Sequence, residues 1–201
     1  SDAGEKDAYA LARILTPMIK FRACRDARKV AGDAMEVRGG CGYIEEWSDP
    51  RILRDSHLGS IWEGTSNIVA LDVLRATNRE GSLPVLQAHL EGLLAEVSGH
   101  ALLTPAYEQA LQGAMQRAMA LVATAAQAGV GGDVLARQAG SALYHVTTAI
   151  AMAWEAAKTG SRDRMRWSQL ALWHRVLPRD PLSPDALPES WQTAPSSVAA
   201  H

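Results

Sequence analysis

Apolar and polar positions alternate with the period of a helix along almost the whole of this 201-residue chain. Between residue 5 and about residue 37, Leu11, Ile14, Leu15, Met18 and Ile19 recur at three- and four-residue intervals, which gathers them on one helical face. Pro17 lies inside that run. It lacks a backbone donor and disfavours helical geometry in the residue before it, so it is expected to kink or divide the helix. The pattern resumes through Ala23, Ala27, Val30, Ala31 and Met35 and stops at Gly39-Gly40-Cys41-Gly42. Residues 43–60 read as an ordered loop with a short helix around 50–54, for which Ser48 offers a cap and Pro50 a first-turn residue. A further helix starts near Thr65, carries Ile68, Leu71, Val73 and Leu74 on its apolar side, and reaches about Asn78 before Gly81.

Gly81-Ser82-Leu83-Pro84 marks a boundary. Beyond it, three helical patterns occupy roughly 84–98, 104–128 and 131–159, the second opening on Thr104-Pro105 and rich in alanine. Gly129-Val130-Gly131-Gly132-Asp133 separates the second from the third, and a last helix from 162 to about 177 stops at Pro178. There is no internal repeat and almost no strand pattern. The predicted fold class is therefore all-α, a helical bundle. Its expected divisions are a domain over 1–81, an additional helical section over 82–180 and a flexible tail over 181–201, where small polar residues beyond Pro184 predict disorder.

Composition narrows the classes of function. At 47% hydrophobic residues the chain has ample material for a core. Twenty basic and 22 acidic residues leave a formal net charge of -2, so no global field selects nucleic acid or an anionic membrane. Cys24 and Cys41 lack Cys-x-x-Cys spacing, which argues against zinc or a disulfide framework and favours a reduced, cytoplasmic setting. The six histidines show no ligand spacing, so no metal is expected. No run of about 18 apolar residues is present, which predicts a soluble chain without a membrane span. The opening Ser and immediate helical pattern suggest processing or an upstream section.

Three stretches carry the candidate chemistry: Met35-Glu36-Val37-Arg38-Gly39-Gly40-Cys41-Gly42-Tyr43, then Arg54-Asp55, then Ile61-Trp62-Glu63-Gly64-Thr65-Ser66-Asn67-Ile68. Alone, a glycine cluster is a turn, a glutamate before Gly-Thr-Ser is a solvated or capping acid, and Arg54-Asp55 is a loop ion pair. In this order and spacing they resemble the C-terminal domain of acyl-CoA dehydrogenases, over about residues 5–80. Trp62 stands where that family usually has tyrosine, Glu36 where many members have glutamine, and Asn67 where many have glutamate or glutamine. Ile61-Trp62-Glu63-Gly64 with Asn67-Ile68 and Leu71-Asp72-Val73-Leu74-Arg75 is closer still to the AidB-like, adaptive-response branch, whose extra C-terminal helical section 82–180 would match.

The resemblance implies an FAD-dependent reaction on an acyl-CoA thioester: a base removes the α-proton while the β-hydrogen leaves as hydride. Such a base acts through close placement beside an isoalloxazine ring and an acyl chain. Glu63 is the matching catalytic position, with Glu63 and Gly64 contacting substrate and the Glu63 amide aiding the thioester carbonyl. Ile61, Trp62, Gly64, Thr65, Ser66 and Asn67 match cofactor-binding positions. Gly39 and Gly40 match a segment that approaches the dinucleotide of a neighbouring subunit, which implies a homo-oligomer, a dimer or tetramer. Two alternatives accompany this reading. One is an AidB-like protective flavoprotein that associates with DNA through Lys158, Arg162, Arg164, Arg166, Arg175 and Arg179; the other is a helical oligomerisation module without activity. Trp154, Trp167 and Trp173 are read as core or interface residues.

Overall fold

The structure is a computed structural model that describes residues 2–182 and 186–193. Its α-helices are α1 (Asp2–Val37), α2 (Gly40–Tyr43), α3 (Asp49–Leu58), α4 (Ser66–Glu80), α5 (Ser82–Val97), α6 (Pro105–Gln127), α7 (Ala136–Thr159) and α8 (Arg162–Arg175). Two 3-10 turns cover Gly129–Leu135 and Glu189–Trp191. The described residues contain no strand, so the all-α class holds.

Pro17 does not divide α1, which runs 36 residues through it. The reason is a balance of magnitudes. A mid-helix proline costs about 3 kcal/mol, whereas Ile14, Met18 and Phe21, all at most 2% exposed, each contribute roughly 1.5–3 kcal/mol by burial. Pro17 is itself buried. The second half of α1 is different: Val30 is 66% exposed, so its apolar spacing marks a face that the described residues do not cover.

The loop expected over 43–60 is largely helical, because α3 extends to Leu58 and turns at Ser60, Ile61 and Trp62 continue its hydrogen bonding to His57 and Leu58. Pro50 sits in the first turn as predicted, but Ser48 makes no side-chain cap. The third pattern beyond the boundary begins at Ala136, its expected first residues 131–135 lying in the 3-10 turn.

Contacts divide the chain into two compact units. The first holds the described residues up to Val85 and also Leu121–Tyr144; the second holds Leu86–Ala120 and the described residues from His145 onward. In the first unit α1 packs against α3 and α4. Val69, Ala70, Val73, Leu74 and Ala76 of α4 join its core, and the carbonyl of Ala126 accepts a 2.7 Å bond from Asn78. Residues 121–144 belong here because their alanines and Gly140 allow close approach; the nearest neighbours of Gly140 are Phe21 and Val73.

The second unit is built on Leu86, Leu90, Leu94, Leu111, Val146, Ile150 and Leu172. Its centre holds a polar pair: the Tyr107 and Ser168 hydroxyls lie 2.7 Å apart, and Ser168 donates to the Ala149 carbonyl at 2.6 Å. Burial pushes the Tyr107 phenol well above its ordinary range. The tail expectation fails at 186–193. Leu187 and Trp191 are buried, the Trp191 ring lies 4.7 Å from Tyr107 and 5.9 Å from Trp173, and Gln169 donates to the Trp191 carbonyl. An aromatic ring of that size outweighs the small polar residues around it. The remainder of the expected tail, 183–185 and 194–201, lies outside the described residues.

Candidate functional site

The site grows from a cross-link between α1 and α4. Arg13 donates to both oxygens of Asp72 at 2.9 Å, with Glu80 3.5 Å from its Nε. The hydrogen bond to Asp72 holds the Arg13 guanidinium above its ordinary value, against partial burial. Lys20 follows Arg13 by seven residues, two helical turns along the same face. There its Nζ donates to the carbonyl of Trp62 at 2.6 Å and to that of Glu63 at 3.0 Å, and lies 3.9 Å from the Glu63 carboxylate.

Glu63 has φ 55°, a positive value that no other non-glycine residue among the described residues shares. A residue with a Cβ in that region costs about 1–2 kcal/mol and persists only where its surroundings impose it. Gly64 follows at φ 102°, and a Cβ there would sit 3.4 Å from methyl groups of both Ile68 and Val69. The chain then enters α4 at Thr65, whose side chain makes no cap bond. The amides of Ser66, Asn67 and Ile68 in the first turn of α4 have no intrahelical acceptor and carry the positive end of the helix dipole. Ile61 and Trp62, 59% and 67% exposed, present bare apolar surface beside them.

The seven predicted positions from Ile61 to Asn67 thus form one continuous turn and helix start. Gly39 and Gly40 do not join it. Val37 lies 17 helical steps beyond Lys20 on α1, which separates the two regions by about 25 Å at the helical rise. Gly39 has φ 59° with open space around it. In this cluster it is Gly42 that contact requires, since a Cβ there would collide with the Met35 carbonyl. Arg54 does not pair with Asp55; it grips Glu45 at 2.6 and 3.1 Å, which lowers the Glu45 carboxyl below its usual range.

A cavity of about 540 Å³ opens beside Glu63 between α1 and α4, lined by Thr16, Lys20, Ile68, Asp72 and Arg75 among others. The Glu63 side chain is 91% exposed. The described residues leave this carboxylate in solvent.

Lys20, Arg13 and Asp72 escaped the sequence reading, because their partners lie 42 to 59 residues away and no local spacing announces them. Three members of the basic group of the second unit have partners. Lys158 pairs with Glu96 at 3.0 Å and Arg164 with Glu155 at 3.1 Å, while Arg162 donates to Thr193. Trp154 is half-buried and donates to Glu96, whereas Trp167 is 54% exposed with Arg164 over its ring. No group of three or more potential metal ligands occurs among the described residues, and no described helix is long and apolar enough to cross a membrane.

Residues 1–77, which include this turn, match the family model described as "Acyl-CoA dehydrogenase, C-terminal domain". Among curated proteins, this chain is similar to the putative acyl-CoA dehydrogenase AidB of Escherichia coli (strain K12), with 46% identity over 72 residues, 36% of this chain and 13% of that protein. It is also similar to acyl-CoA dehydrogenase family member 11 of Caenorhabditis elegans, with 29% identity over 160 residues, 78% of this chain and 25% of that protein. The crystal structure of Caenorhabditis elegans ACDH-11 in complex with C11-CoA shares the fold, with a TM-score of 0.74 and 23% identity over 86% of this chain and 31% of that one. The chain therefore spans between about an eighth and a third of the length of these relatives.

Proposed function

We propose that this chain is the C-terminal helical part of an FAD-dependent acyl-CoA dehydrogenase-like oxidoreductase, in which Glu63 abstracts the α-proton of an acyl thioester. The observation that carries the reading is the Glu63 turn itself: a carboxylate on a left-handed residue, directly before a helix start, in the segment that matches the family. Strain of that kind, imposed on a non-glycine residue at the mouth of a cavity, suits a group whose placement matters more than its comfort.

The residues fit a flavin dinucleotide. Free amides at the start of α4 favour an anionic group, and the exposed faces of Ile61 and Trp62 suit a planar ring. Thr65, Ser66 and Asn67 would hold the cofactor from this side, and Gly39 and Gly40, remote from Glu63 in their own chain, would serve the site of a second copy. Bound FAD would supply the acceptor for the β-hydride. Glu63 would take the α-proton onto its carboxylate, while its amide donates to the thioester carbonyl and stabilises the developing enolate charge. The exposure of the carboxylate in this chain is consistent with that role only when ring and acyl chain cover it. The named ligand of the Caenorhabditis elegans structure, C11-CoA, supports acyl-CoA as the substrate class.

The test is Glu63→Gln in the flavin-loaded protein. Flavin content should be unchanged and acyl-CoA-driven bleaching abolished; bleaching at the wild-type rate would remove Glu63 as the base.

A further inference from the structure

The two hydrogen bonds from Lys20 have a geometric consequence beyond holding a loop. The Trp62–Glu63 and Glu63–Gly64 peptide bonds are trans, so each N–H points opposite to the carbonyl of its own plane. One ammonium at 2.6 and 3.0 Å draws both carbonyls to the α1 side. The N–H groups of Glu63 and Gly64 are thereby turned to the other side together. Consecutive peptide planes face the same way only where the residue between them is curled, which is what φ 55° at Glu63 provides. Among the described residues neither N–H donates to any acceptor. Successive unused amides around a left-handed residue form a concave donor pair for an anionic oxygen.

We propose that Lys20 is a positioning residue, which by gripping the carbonyls of Trp62 and Glu63 sets the amides of Glu63 and Gly64 as a two-donor hole for an oxygen that gains negative charge. Its catalytic meaning rests on the proposed role of Glu63. The clamp also explains why the strained turn survives, since two charge-assisted bonds oppose the cost of the left-handed residue. The Arg13–Asp72 cross-link fixes the distance between the helices at which Lys20 can reach. Lys20 itself is a quarter exposed; its contact with the Glu63 carboxylate, at 3.9 Å, is looser than either carbonyl bond.

Two measurements test the inference. In the 201-residue chain, backbone couplings and carbon shifts of Glu63 report its φ without any cofactor. Lys20→Met should release Glu63 from positive φ, and Lys20→Arg, which can still donate to both carbonyls, should keep it there. Should the Met variant not fold, Lys20→Gln, with a donor on a shorter stem, should give a partly released turn. In the flavin-loaded protein, Lys20→Met should lower kcat for acyl-CoA oxidation about 100-fold, the scale of losing an oxyanion donor, with flavin content and KM little changed and Lys20→Arg recovering most of the rate. An unmoved Glu63 φ in Lys20→Met, or a loss confined to KM, would overturn the proposal. Failure of the Glu63 reading is separate: it shows as bleaching in Glu63→Gln while the φ response to Lys20 persists.

Discussion

Glu63 and Gly64 illustrate how much is decided by single backbone angles. Both have positive φ, yet only the glycine is spared the clash of a side chain with its own backbone. Gly64→Ala is expected to destabilise the chain by about 1–2 kcal/mol. Gly39→Ala, also at positive φ but with nothing within 4 Å of the added methyl, should cost less. Urea denaturation of the two variants checks the order. Equal midpoints would mean that the contacts of Gly64 with Ile68 and Val69 do not constrain the turn. The identity of the glutamate, by contrast, matters little to stability, since its carboxylate is exposed and its strain is borne by Lys20. This separates two roles that the motif alone merges: glycine for the shape of the turn, glutamate for the chemistry proposed for it.

At the scale of elements, the helices are held by few but specific polar contacts set in apolar faces. The Tyr107–Ser168 pair joins α6 to α8, and Ser168 reaches on to α7 through Ala149. Because the folded state raises the Tyr107 phenol above its ordinary value of 10.0, it holds the proton more tightly than the unfolded chain does. That contribution is complete below pH 10 and declines as the pH rises beyond it. Tyr107→Phe should therefore lose about 1 kcal/mol at neutral pH, and its stability should approach that of the wild type in the alkaline range. Parallel stability curves for the two proteins above pH 10 would contradict a buried, neutral phenol. On α8 the cap is also resolved: Ser161 accepts from the Arg164 amide at 3.2 Å, which fixes where the helix starts after Gly160.

At the scale of the whole molecule, the first unit leaves much apolar surface uncovered, including Tyr43, Trp47, Ile52, Ile61 and Trp62, all more than 45% exposed. Large apolar side chains left bare both beside α2 and at the Glu63 turn suit contact with further protein or ligand. They support the proposal that the flavin pocket is completed outside the residues described, by further sections or another copy. The 201-residue chain by itself is accordingly expected to bind FAD weakly or not at all. Gel filtration with absorbance near the flavin band checks this, and a stoichiometric yellow complex would show that the half-site at α4 suffices.

How far the sequence reached can be judged from particular residues. Helix existence and type were legible because apolar spacing is a local property: α4, α5 and α6 lie close to where periodicity placed them. The candidate base was legible because Ile61-Trp62-Glu63-Gly64-Thr65 is contiguous. Local propensity carries no knowledge of the burial of Ile14, Met18 and Phe21, beside which Pro17 does not divide α1, and composition averages the large ring of Trp191 into its small neighbours. The placing of residues 121–144 with the first unit, the pairing of Arg54 with Glu45 and the reach of Lys20 to Glu63 belong to tertiary structure alone. Each joins residues whose separation along the chain leaves no periodic trace, and only the packing of α1 against α3 and α4 brings the Lys20 ammonium within hydrogen-bond distance of the turn that the motif names.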